Sequence, residues 1–90
     1  MAVCLMFDAP GGTSDQYDQV RNEVAPGELP PPGALYHVDG PTEAGWYMVE
    51  VWDSPKALDS FVAEVLRPAL ERAGLSGEPR VLDVASVMQL

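Results

Sequence analysis

His37 and Glu50 are the two side chains of this sequence best suited to move a proton. His37 is the only histidine, and so the only side chain whose ordinary pKa lies near neutrality. It sits within Leu35-Tyr-His-Val-Asp39, flanked by Tyr36 and Val38. If the following loop is symmetric about Thr42, His37 lies across a hairpin from Tyr47, and Tyr36 across from Met48. A His–Tyr pair of this kind can orient a phenolic substrate or shuttle its proton. The plainer alternative is a half-buried histidine satisfied by one hydrogen bond. Glu50 falls at an inner strand position, where an ionised carboxylate needs a partner or a raised pKa. Two roles fit it: base of a substrate site between Met48 and Trp52, or salt-bridge partner of Arg67, Arg80 or another subunit. Tyr36, Trp46, Tyr47 and Trp52 are candidates to line an aromatic pocket that holds a planar ligand by stacking. Aromatics at strand spacing also serve as core and interface anchors. Trp52 reads as core and Trp46, beside the hairpin turn, as pocket rim.

Other chemistries find little support. Cys4 lies in an apolar run with no cation or base beside it, and reads as a small hydrophobe rather than a nucleophile. One histidine and one cysteine in different strands lack the paired spacing of zinc or non-haem iron sites, so no metal is expected. Gly11-Gly12 precedes a helix N-terminus but lacks the spacing of a dinucleotide fingerprint, and Asp8 and Asp15 would repel phosphate. No Ser-His-Asp or Cys-His set can be assembled.

The elements that must position these residues follow from pattern and punctuation. Residues 2–8 form a short apolar strand ending at the turn cluster Ala-Pro-Gly-Gly. Thr13 or Ser14 caps a first helix, with Thr13 and Gln16 at capping-box spacing and Tyr17, Val20 and Val24 as its thin apolar stripe. The proline-rich residues 25–33 can be neither helix nor central strand, and read as a stiff crossover connector. Leu35–Asp39 and Trp46–Trp52 are too close in sequence for a crossover and form an antiparallel hairpin. Asp53 or Ser54 caps a second helix with Pro55 in its first turn; Pro68 kinks or splits that helix, and Gly74 ends it. A last strand runs from about Arg80 to Met88.

The order β-α-β-β-α-β with right-handed crossovers predicts an α+β, ferredoxin-like domain over residues 1–90: one four-stranded antiparallel sheet with both helices on one face. The bare face of such a sheet should be polar. Here Tyr47, Val49 and Val51 lie on one side of the third strand and Trp46, Met48 and Trp52 on the other, so both faces are apolar. Strands buried on both sides read this way. The uncovered face is expected to meet a second copy of the chain, two sheets closing into a barrel with the helices outside.

Composition narrows the setting. Ninety residues make one small domain for which a self-associating surface aids stability. A formal charge of −9, from 14 acidic and 5 basic side chains, argues against nucleic acid and anionic membrane as partners. The single cysteine precludes an internal disulfide and suits a reducing compartment. No signal-peptide pattern opens the chain and no apolar run reaches membrane-spanning length, so a cytoplasmic protein is expected.

On its element order and on the junction Glu50-Val-Trp52-Asp-Ser-Pro-Lys-Ala-Leu58, the chain resembles the dimeric α/β-barrel superfamily, in particular its antibiotic biosynthesis monooxygenase-like group. The junction is similar to the acidic-x-Trp-x-Ser-x-x-Ala stretch between third strand and second helix in such proteins. The resemblance implies a cavity between sheet and helices in each subunit. It also implies cofactor-free oxygenation of quinols or polycyclic aromatics, haem degradation, or no catalysis. Where many members carry a histidine early in the second helix, this chain has Phe61; where haem-degrading relatives use an asparagine late in the first strand, it has Phe7 and Asp8. Trp52 matches their haem-flanking tryptophan. The leading expectation is a homodimeric, monooxygenase-like protein that binds an aromatic or quinone-type molecule among Tyr36, His37, Trp46 and Glu50, with no cofactor. The alternative is a non-catalytic dimeric binding or partner protein, and a third reading is haem binding through His37.

Overall fold

The computed structural model describes residues 1–28 and 30–90, so Leu29, within the predicted connector 25–33, lies outside the described residues. Its elements are β1 (Val3–Pro10), α1 (Ser14–Val24), β2 (Ala34–Pro41), β3 (Gly45–Trp52), α2 (Pro55–Phe61), a π turn (Val62–Leu66), α3 (Arg67–Ala73) and β4 (Arg80–Asp83). The four strands form one sheet in the order β2-β3-β1-β4, with every neighbouring pair antiparallel. This is the predicted ferredoxin-like arrangement. Among the described residues no helix is long and apolar enough to cross a membrane.

The caps form as the residue types demand. Gln16 N–H donates to Thr13 Oγ1 at 3.2 Å and Thr13 N–H donates back to Gln16 Oε1 at 3.0 Å, a complete capping box. Ala57 N–H donates to Ser54 Oγ, and Pro55 follows in the first turn. At the far end Gly74 is left-handed, φ 76°, and Leu75 N–H closes on the Leu70 carbonyl, as in a Schellman stop.

Three expectations need correction. The first strand runs on through Ala9 to Pro10, which faces Gly45, because the turn itself is made by Gly11 and Gly12. The proline-rich connector is not wholly irregular, for Pro26–Glu28 makes one 3₁₀ turn with Gly27 at φ 68°. Pro68 splits the second helix as expected, through a wide turn in which Arg67 N–H reaches back five residues to the Val62 carbonyl. The last strand stops at Asp83 instead of Met88. Val84 N–H still donates to the Ala2 carbonyl, but β1 begins at Val3, and among the described residues no strand pairs with the chain beyond.

One face of the sheet carries the core. Val3, Leu5, Phe7 and Ala9 of β1 and Met48 and Trp52 of β3 are buried beneath the helices. Leu58, Phe61, Leu66 and Leu70 meet them from above, with the Trp52 and Phe61 rings 4.9 Å apart. Among the described residues no helix covers the opposite face.

Candidate functional site

The hairpin register decides which side chains share the helix-covered face. β2 does not stop at Asp39 but continues through Gly40 and Pro41, leaving residues 42–44 as the connection. Thr42 closes it, its N–H donating to the Gly45 carbonyl and its Oγ1 accepting from Gly45 N–H, both at 2.9 Å. His37 therefore faces Glu50, three positions beyond the predicted Tyr47, and Tyr36 faces Val51 rather than Met48. An odd shift moves a strand residue to the other face of the sheet. His37 and Asp39 thus join Met48, Glu50 and Trp52 beneath the helices. An irregularity at Leu35, between Ala34 and Tyr36, locally offsets the pairing at the start of β2.

A line of charged groups results. The Trp52 indole N–H donates to Glu50 Oε1 at 3.0 Å. Glu50 Oε2 lies 2.7 Å from His37 Nδ1, and His37 Nε2 lies 2.5 Å from Asp39 Oδ2. Arg21 of α1 donates to Asp39 Oδ2 at 3.2 Å and to Asp18 at 3.0 Å, so the line crosses from sheet to helix. The Glu50 hydrogen bond is the main cause that raises the His37 pKa above its ordinary value; partial burial opposes it, and Asp39 adds to it. Both ring nitrogens then act as donors, and the imidazolium sits between two carboxylates. Burial works against ionised Asp39, but the hydrogen bonds from His37 and Arg21 outweigh it and lower its pKa.

Beside this line is a cavity of about 390 Å³ between α1, the π turn, β2 and β3, with Tyr17, Arg21, His37, Asp39, Glu50 and Phe61 among its walls. Apolar side chains complete it, including Val20, Met48 and Leu66. Apolar walls with a few convergent polar groups suit a small organic molecule. The buried Tyr17 hydroxyl finds no hydrogen-bond partner among the described residues, and neither does the Trp46 indole N–H. Burial, followed by the charges of Asp39, Glu50 and Asp8, pushes the Tyr17 pKa up, so the phenol stays neutral.

The residues expected from sequence divide. His37, Glu50 and Tyr36 border the cavity. Trp52 is buried behind it and holds Glu50. Trp46 is not on its wall; its ring stacks on Tyr17, centroids 5.8 Å apart. Tyr47 is on the other face of the sheet, its ring over Gly40, since a tyrosine opposite an edge glycine covers the bare backbone there. Glu50 is partnered by His37 and Trp52, not by an arginine: Arg67 pairs with Glu78 at 3.1 Å, and Arg80 lies across from Met6 on β4. Sequence reasoning missed Asp39, Arg21 and Tyr17. Asp39 was findable, two residues from His37 and hence on its face of the strand. Arg21 and Tyr17 needed the packing of α1 over β2.

No family model matches the sequence, and no curated protein matches it either. Solved structures do. The fold is similar to that of a protein from Chloroflexus aurantiacus assigned as an antibiotic biosynthesis monooxygenase, with a TM-score of 0.68 at 15% identity over 99% of this chain and 98% of the other. SnoaB, a cofactor-independent oxygenase from Streptomyces nogalater, aligns with a TM-score of 0.63 at 15% identity, over 97% and 94% of the two chains. A dimeric ferredoxin-like protein of unknown function from Jannaschia sp. CCS1 aligns with a TM-score of 0.56 at 16% identity, over 96% and 100%. At such identities the likeness is one of fold, and it spans essentially the whole chain.

Proposed function

We propose that this chain, which shares the fold of the antibiotic biosynthesis monooxygenase-like proteins, acts as a single cytoplasmic domain that pairs with a second copy and binds an aromatic or quinone-type molecule in the cavity. The observation that carries this reading is the His37–Glu50 pair on the wall of an otherwise apolar space of about 390 Å³. Glu50 is 8% exposed and fixed by the Trp52 indole, so it holds His37 in one orientation. In cofactor-free oxygenation the protein's part is to hold the substrate as its electron-rich anion and stabilise it. The His37–Glu50 pair is the proposed acid–base centre. Tyr36 borders the mouth of the cavity from the edge strand but shares the uncovered face with Val51, Trp46 backs Tyr17 at the wall, and Trp52 acts through Glu50. Tyr47 belongs to the pairing face rather than to the pocket.

Substrate-dependent oxygen uptake tests the reading. His37→Ala and Glu50→Gln are each expected to lower it by about 10²-fold or more, the usual contribution of a positioned acid–base group. Uptake that survives both substitutions overturns the mechanism. A second reading has its own supporting observation: both ring nitrogens of His37 are already engaged by carboxylates, as in a structural ion network. It makes the protein a non-catalytic binder, which titrates a ligand to a stoichiometric endpoint and consumes no oxygen.

A further inference from the structure

A ligand oxygen in the cavity can bond to His37 only by displacing a carboxylate, because Glu50 occupies Nδ1 and Asp39 occupies Nε2. The two carboxylates are not held alike. Glu50 belongs to β3, a central strand, and its second oxygen receives the Trp52 indole N–H. Asp39 belongs to β2, the edge strand, and its other tether is Arg21, whose side chain is 43% exposed and shared with Asp18. The Asp39 side of the imidazole is therefore the side that yields.

Building on the aromatic-ligand reading above, we propose that Asp39 is a specificity-determining residue: its carboxylate occupies the position on His37 Nε2 that the ligand's oxygen must take, so the cavity selects aromatic molecules carrying an ionised oxygen. The contact to be replaced is charge-assisted, roughly twice as strong as a neutral hydrogen bond. A neutral hydroxyl or ether oxygen cannot match it, whereas the anion of a hydroxyquinone substitutes one imidazolium–oxyanion contact for another. Arg21 stays within reach of the displaced carboxylate, and only hydrogen bonds are exchanged.

The test compares the whole chain with its Asp39→Asn and Asp39→Ala variants at about pH 6, where histidine is largely charged even at its ordinary pKa. The probes are 2-hydroxy-1,4-naphthoquinone, ionised at that pH, and its methyl ether, which cannot ionise. Quenching of tryptophan fluorescence reads the affinity. Removing the internal competitor is expected to tighten the hydroxyquinone about tenfold or more, since hydrogen bonds to charged groups are worth about 1.5–3 kcal/mol. The ether should change by less than about twofold, well under one such bond. Damage to the fold cannot imitate a gain in affinity. Hydroxyquinone affinity that is unchanged or weaker in both variants, or an equal gain for the ether, overturns the role of Asp39 and leaves the aromatic-ligand reading in place. Failure of the wild type and both variants to bind either quinone overturns both.

Discussion

At the scale of single residues, His37 gives the protein a pH dependence that can be followed without any substrate. Its pKa is raised in the folded chain, chiefly by the hydrogen bond to Glu50. The interaction therefore contributes fully below the unfolded value of about 6.5 and is lost as pH rises through the folded-state value. The melting temperature is expected to decline over that window, and to decline less for Glu50→Gln, in which only Asp39 still favours the charged ring. Because the chain has one histidine, a single imidazole resonance reports the site, and its midpoint should fall in Glu50→Gln. A midpoint at the ordinary value in the wild type would mean that the carboxylate pair does not hold the ring. That His37 is a candidate was legible in the sequence from its type and its setting. Its partner was not, since identifying Glu50 rather than Tyr47 depends on where a turn closes, and three residues of misplaced loop exchange one face for the other.

At the scale of elements, the sharpest local constraint is Gly45, where β1, the hairpin and the Gly11 turn converge. A Cβ at that position would overlap the Ala9 carbonyl oxygen and crowd the Gly11 and Gly12 amides. Gly11 N–H donates to the Ala44 carbonyl at 2.6 Å in the same place. Gly45→Ala is expected to cost about 2–4 kcal/mol in a urea melt, the range of backbone-strain and lost-pairing substitutions. A loss below about 0.5 kcal/mol, the ordinary surface value, would show that the strands separate there easily. Element types and order could be read from periodicity, caps and punctuation, as Thr13, Ser54 and Gly74 show. Element ends could not. Whether Pro10 closes a strand or opens a turn, and whether residues 84–88 pair, depends on which neighbour is present rather than on the residues themselves. The π turn before Pro68 is a compromise between a missing amide and an apolar stripe that must keep facing the sheet.

At the scale of the whole molecule, the sheet's uncovered face is the ground for the proposed pairing of two copies. Tyr36, Val38 and Leu82 on that face are 50%, 53% and 47% exposed, beside the partly buried Met6, Val49 and Val51. An exposed apolar surface on a small domain is the kind of feature that supports the proposed pairing. Val49→Glu is expected to leave the folded chain intact while weakening its association by about 3 kcal/mol or more, roughly a hundredfold. Trp52→Glu, aimed at the covered core, should abolish folding instead. Sedimentation velocity and thermal melts separate the two, and a Val49→Glu protein that sediments like the wild type would remove the pairing from this face. The alternation of β3 has a wider meaning for how such a protein can change over time. Its even-numbered residues lie on the helix-covered side and its odd-numbered residues on the uncovered side, with the strand's own backbone between them. One set of positions can therefore change while the other stays, so the proposed ligand binding and the proposed pairing can be inherited, lost or engineered separately.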